Sequence, residues 1–211
     1  MSRIAIIGAG NVGTALAKRL VPRGHEVMLS YNRDMAKLTQ TAAALGASVG
    51  APEEAVAFGE VVALTVPWAA VPAALKAAGL LAGKILWDCT NALAEDMTGL
   101  VIGTTTSGGE EVAKLAPDAR VVKGIPPFAE LMHSDDPTID GRPPGVFVAG
   151  NDAEAKAVVS GLLEQLPTTV TDTGDLTGAR FIEPAMWLLV RLAYSQGLGP
   201  RISFDLLQQK A

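Results

Sequence analysis

One cysteine, two histidines and few aromatic residues limit what this chain can build. With Cys89 alone, neither an intrachain disulfide nor a cysteine-based metal site is available, and Cys89 reads as a small buried residue. His25 and His133 lie far apart in sequence, and neither belongs to a Ser/His/Asp set or to a spacing that would hold a metal. Charge is sparse too: 18% of 211 residues are charged, the net charge is -5, and no Lys/Arg block or basic arm occurs. That excludes nucleic acid as the main partner. The longest apolar stretch, residues 184–192, is too short to span a bilayer and contains Arg191. With a strand-like segment directly after Met1, the expectation is a soluble, cytoplasmic protein with no membrane partner. The 49% apolar fraction is that of a globular chain and argues against disorder.

Glycine is what the sequence has in an informative place. Ile4, Ala5, Ile6 and Ile7 run into Gly8, Ala9, Gly10, Asn11, Val12 and Gly13, and a helix-like Thr14 to Leu20 follows. This Gly-x-Gly-x-x-Gly between strand and helix is the start of a dinucleotide-binding βαβ unit. The N–H groups opening the helix then face a diphosphate, where the helix dipole favours negative charge. The bland alternative is a strand, turn and helix without ligand.

Strand-like and helix-like segments continue to alternate. Strands are expected at 26–30, 47–49, 60–66, 84–88, 120–124, 146–149 and 168–171, and helices at 34–45, 52–57, 67–76, 110–115, 152–166 and 177–196. The fold class is therefore α/β: a Rossmann-type doubly wound parallel sheet over residues 1–124, with a small C-terminal αβ and helical extension over 125–211. Residues 125–145 hold Pro126, Pro127, Pro137, Pro143 and Pro144, and such segments in compact domains are functional or disordered. The extension is expected to complete the substrate cleft and to supply a homodimer interface. Its last helix, with Phe181, Ile182, Met186, Trp187, Leu188, Leu189, Leu192 and Tyr194, is apolar round much of its circumference and calls for burial on more than one side, against a second copy or against its own sheet. Arg180 and Glu183 are spaced to pair along it.

The second strand ends in Ser30, Tyr31, Asn32 and Arg33, with no carboxylate at its tip; Asp34 suits the cap of the next helix. A carboxylate there binds the ribose of NAD, whereas Arg33 offers a fork of donors to the extra phosphate of NADP, Ser30 and Asn32 add hydrogen bonds, and Tyr31 adds a flat surface for adenine. NADP is the expected cofactor; ordinary turn residues are the alternative. At the carboxyl edge of later strands, Val66, Pro67 and Trp68 are placed to border the nicotinamide side, and Thr90 and Asn91 to hydrogen-bond it. Trp68 would serve equally as a core aromatic, and Asn91 as a turn former. His25 reads as structural, while His133 is a candidate to reach a substrate. The scarcity of acids and bases is itself informative, because hydride transfer between two cofactor rings needs alignment more than a proton donor.

Three segments in order, Gly8 to Gly13, Leu64-Thr65-Val66-Pro67-Trp68, and Asp175 to Glu183 with its Leu176, Ala179, Arg180 and Glu183, carry a resemblance over nearly the whole length. The chain resembles the coenzyme F420-dependent NADP oxidoreductase family, to which the reductase domain of STEAP-type metalloreductases is related. The resemblance implies an NADP-binding Rossmann domain, often dimeric, that passes hydride between NADPH and a deazaflavin or flavin. It also implies that the second ring lies near an Ile-Pro turn, matched here by Ile125, Pro126 and Pro127. The chain departs from the family pattern at the glycine turn, where Gly8 to Gly13 form a shorter loop, at Ser30 to Arg33 and at Lys123 to Pro126. Two other functions compete: NADP-dependent reduction of a small carbonyl or imine, and a non-catalytic NAD(P)-binding regulatory module.

Overall fold

The computed structural model describes residues 1–31 and 34–209. Its eight strands are β1 (Arg3–Ile7), β2 (Glu26–Ser30), β3 (Ser48–Val49), β4 (Val61–Leu64), β5 (Ile85–Asp88), β6 (Arg120–Gly124), β7 (Gly145–Gly150) and β8 (Thr169–Asp172). They form one sheet in the order β3-β2-β1-β4-β5-β6-β7-β8. The order reverses between β1 and β4, the topological switch point where open α/β sheets bind ligands.

Apolar runs in the central strands explain why the sheet is covered on both faces. Along β1, Ile4 and Ile6 join the apolar layer under α1 (Asn11–Leu20), α2 (Met35–Leu45) and α7 (Ala153–Glu164), while Ala5 and Ile7 join the layer under α3 (Pro52–Phe58), α4 (Val71–Ala78) and α5 (Gly108–Leu115). All four residues are buried, as a strand between two helix layers requires. The helices begin at chemically sensible residues. Asp34 accepts from the Lys37 N–H at 3.0 Å, Ser107 from Glu110 at 3.2 Å and Asp152 from Ala155 at 2.8 Å.

The sheet is mixed rather than wholly parallel. Six strands run parallel, but β7 pairs antiparallel to β6, with Lys123 opposite Ala149, and β8 then pairs parallel to β7. A parallel return needs a crossover of a dozen or more residues, usually a helix packed on the sheet. The connection from β6 to β7 holds only α6 (Ala129–His133), which lies on α1 instead: Lys18 donates to His133 O at 2.6 Å, and Arg19 donates to Met132 O at 2.7 Å and to Ser134 O. Segment 125–145 is thereby fastened to the first helix.

The C-terminal helix also differs from expectation. It is α8 (Ala179–Val190), preceded by a 3-10 turn (Leu176–Gly178) and followed by a π-helical turn (Arg191–Ser195). Within one chain it is buried on a single side, through Ala179, Ile182, Glu183, Met186 and Leu189, while Phe181 is 76% and Leu188 48% exposed. The expected Arg180–Glu183 pair does not form. Arg180 forks onto Glu110 at 2.6 and 2.9 Å, and Glu183 turns inward. Among the described residues, no helix is long and apolar enough to cross a membrane.

Candidate dinucleotide site

β1 ends in a turn whose geometry only small residues permit. Gly8 has φ +114°, and a Cβ there would lie 2.8 to 2.9 Å from Val66 and Thr65; a Cβ on Gly13 would lie 2.1 Å from Gly8 O. The turn is therefore pressed between α1 and the exit of β4, fastened by Gly8 N–H to Ser30 O at 3.0 Å and by Thr65 Oγ1 to Gly8 O at 2.6 Å. Gly10 differs: a Cβ there would meet nothing within 4 Å. It caps α1 without any side-chain hydrogen bond, so the first N–H groups of the helix stay available. Above this turn opens a cleft of about 820 Å³ lined by Gly8, Ala9, Gly10, Tyr31, Val66 and Pro67 among others. Open space over Gly10 and uncapped N–H groups fit a dinucleotide diphosphate.

The remaining sequence candidates divide. Asn11 lies exposed at the first position of α1, and Val12 packs on the core beside it. Ser30 is fully buried and donates to Gly50 O at 2.8 Å, which ties β2 to the loop after β3 and removes the hydroxyl from any phosphate. Asn32 and Arg33 lie outside the described residues. Trp68 does not line the cleft; it packs beside Gly108 at the start of α5. Thr90 is 3% exposed, with its hydroxyl donated to Asp88 Oδ1 at 2.7 Å, so it does not offer the expected contact to a nicotinamide. Asn91 donates to Glu183 O at 3.2 Å.

Pro126 and Pro127 are buried, and Ile125 packs in the small apolar cluster against α8 at the same carboxyl edge of the sheet. His133 is half-buried, with Nε2 3.2 Å from Asn11 O and 3.4 Å from Thr14 Oγ1, which sets it against the first turn of α1. His25 accepts from Ser2 N–H at 3.2 Å, and its Nε2 lies 2.9 Å from Oε1 of Gln165, the residue that closes α7, a tie between the segment before β1 and the end of that helix.

Beside the cleft lies a constellation the residue patterns did not reveal. Asp88 and Lys123 are in register on neighbouring strands, and Glu183 reaches them from α8. Lys123 Nζ stands 2.6 Å from Asp88 Oδ2 and 2.9 Å from Glu183 Oε1, and donates to Thr90 O at 2.8 Å. Glu183 also caps α5, accepting from Gly108 N–H at 2.8 Å and Gly109 N–H at 2.9 Å. All three side chains are essentially inaccessible. Burial opposes the charge on Lys123, but the flanking Asp88 and Glu183 carboxylates outweigh it and hold the ammonium above its ordinary pKa. Burial, reinforced by Asp88, pushes the nearby Cys89 thiol well up, so it stays protonated and unreactive. A Lys and an Asp inside otherwise apolar strands were the only signal in the sequence.

Residues 3–92 match the family described as NADP oxidoreductase, coenzyme F420-dependent. A solved structure from Arthrobacter sp. FB24, described as a candidate F420-dependent NADP reductase, is 33% identical, with a TM-score of 0.85 and coverage of 99% of this chain and 100% of that one. Rat (Rattus norvegicus) metalloreductase STEAP3 is 30% identical over 181 residues, which is 86% of this chain; the chain spans only 36% of that relative's length. A reductive aminase from Aspergillus terreus, solved with NADPH4, cyclohexanone and allyl amine, is 24% identical at a TM-score of 0.68 over 93% of this chain and 63% of that one, a likeness of fold alone.

Proposed function

Since the chain belongs to the family of coenzyme F420-dependent NADP oxidoreductases, we propose that it transfers hydride between NADP(H) in the glycine-turn cleft and a flat-ring acceptor, a deazaflavin such as coenzyme F420 or a flavin. The observation that carries this is the cleft itself: about 820 Å³ at the β1–β4 switch point, floored by a glycine whose side-chain direction is open and by uncapped helix N–H groups. When bound, the nicotinamide supplies the hydride; the protein supplies placement. The N–H groups at Asn11, Val12 and Gly13 hold the diphosphate, Tyr31 offers a face to adenine, and Val66 and Pro67 border the ribose and ring. The acceptor ring takes the space between this edge and the Ile125 to Pro127 turn, with His133 at its margin.

Chemistry of this kind asks little of acids and bases, because the hydride moves between two rings held face to face. The buried cluster supports that division of labour. Lys123 is fully enclosed by two carboxylates and a carbonyl, so it has no path to protonate a carbonyl or imine substrate. It is a structural ammonium, not a donor.

Stopped-flow oxidation of NADPH with coenzyme F420, FMN or FAD tests the reading. The expected result is acceleration with at least one of them, and none with a small imine or ketone. No acceleration by any ring acceptor overturns it.

A further inference from the structure

Residues 92–101 leave β5 at the carboxyl edge and fold back on themselves. Ala94 N–H donates to Gly99 O at 2.8 Å and Val101 N–H to Ala92 O at 2.7 Å, and Leu93 and Leu100 form an antiparallel bridge. The tip is closed by Asp96, whose Oδ1 accepts from Thr98 N–H at 3.1 Å and from the Thr98 hydroxyl at 2.7 Å. Just before that tip stands Glu95, which lines the same cleft as Gly8, Gly10 and Tyr31. In the sheet, β4 separates β5 from β1, and the cleft wall between Gly8 and Glu95 is completed by Thr65, Val66 and Pro67 at the exit of β4 and by Ala69, Ala70 and Ala73 beyond it. Among the described residues Glu95 is exposed and makes no hydrogen bond or ion pair.

A carboxylate on the wall of a phosphate-binding cleft needs a reason. It only accepts hydrogen bonds, and phosphates repel it. What a pyridine dinucleotide offers it are ribose hydroxyls and two amino groups. In NADP the adenosine ribose has lost its free 2′-hydroxyl to the phosphate, and that ribose belongs at the end of β2, beside Tyr31. Glu95 belongs to the segment after β5, which the strand order sets across β1 and β4 from β2, the flank to which the nicotinamide half of a dinucleotide extends.

Resting on the assignment of this cleft to NADP(H), we propose that Glu95 is a specificity-determining contact for the nicotinamide half, its carboxylate accepting from the vicinal hydroxyls of the nicotinamide ribose. Two adjacent hydroxyls match two carboxylate oxygens, the same complementarity by which an acidic residue at the end of β2 grips the adenosine ribose in NAD-binding folds. The contact also fixes the glycosidic end of the ring and so helps to set the face from which hydride leaves.

The test is titration calorimetry on wild type, Glu95→Gln and Glu95→Ala with two probes: NADPH, and adenosine 2′,5′-bisphosphate, which carries the adenosine half alone. The exposed position leaves folding intact, checked by equal thermal midpoints. The expected result is a loss of about tenfold in NADPH affinity in both variants, the size of a hydrogen bond to a charged group, with bisphosphate affinity unchanged. Equal NADPH affinity in all three proteins overturns the proposal. So does tighter binding by the variants, which would mark Glu95 as repelling phosphate, and so does a parallel loss for both probes, which would place it at the adenosine end. Wild type that binds neither probe removes the NADP assignment itself and this inference with it, a result distinct from the others.

Discussion

The glycine turn and the Asp88–Lys123–Glu183 cluster occupy the same sheet edge and are built on opposite terms. At the turn, the chain removes side chains beside an open cleft and leaves the start of α1 without a side-chain cap. At the cluster, it buries three charges so completely that none reaches solvent. The first region is local in sequence and specialised for a ligand. The second draws on residues 88, 123 and 183 and joins two strands, the start of α5 and the last helix. Burying an ion cluster gives no assurance of net stability, since desolvation offsets much of the attraction; what it does impose is a large penalty for removing one member. The cluster is therefore expected to govern folding, and the turn to govern binding.

The sharpest way to break that contrast is Lys123→Ala, which leaves Asp88 and Glu183 buried without their counter-charge. The expected loss is about 3–5 kcal/mol in urea unfolding. A loss below about 1 kcal/mol would show that the two carboxylates find other partners and that the cluster does not hold α8 in place. Gly13→Ala comes next. A methyl 2.1 Å from Gly8 O must displace the turn, which costs about 1–3 kcal/mol as overpacking and removes NADPH binding as well. It is the one position where both regions' roles are expected to fail together.

Gly10→Ala separates them. Its Cβ would meet no protein atom within 4 Å, so stability is expected to hold within about 0.5 kcal/mol. The same methyl would stand where a diphosphate approaches, and NADPH affinity is expected to fall about tenfold or more, measured by calorimetry. Unchanged affinity would mean that the ligand does not sit over this glycine.

The same contrast explains what was legible in the sequence. Strand, glycine turn and helix are contiguous, so their spacing carries the dinucleotide motif and the doubly wound core with it. Side-chain direction at a strand end is not local. Ser30 and Thr90 stand at the expected carboxyl edge, yet their hydroxyls turn to Gly50 O and Asp88 because buried polar groups must be satisfied within the fold. The reversal at β7 was hidden because the length of segment 125–145 does not reveal that its one short helix docks on α1 rather than on the sheet. Arg180 and Glu183 misled for a related reason. Three-residue spacing permits a pair, but α5 offers each a better partner, a carboxylate for the arginine and two free N–H groups for the glutamate.

The smallest expected effect tests how far the clamp on α8 extends beyond its buried part. Glu110 and Arg180 form a forked pair between α5 and α8 with side chains 17% and 33% exposed. The hydrogen bonds from Arg180, with help from the Ser107 hydroxyl, bring the Glu110 carboxyl down to about 2, against an ordinary value of 4.5. A carboxyl depressed in the folded state contributes stability that is complete above its unfolded value, so the pair contributes fully above pH 4.5 and is lost as pH falls toward about 2. Glu110→Gln is expected to lower neutral-pH stability by about 1 kcal/mol, given partial exposure. Wild type and variant should then converge in thermal midpoint as the solution is acidified through that window. Curves that stay parallel would assign the acid response to other carboxylates and confine the clamp to Asp88, Lys123 and Glu183.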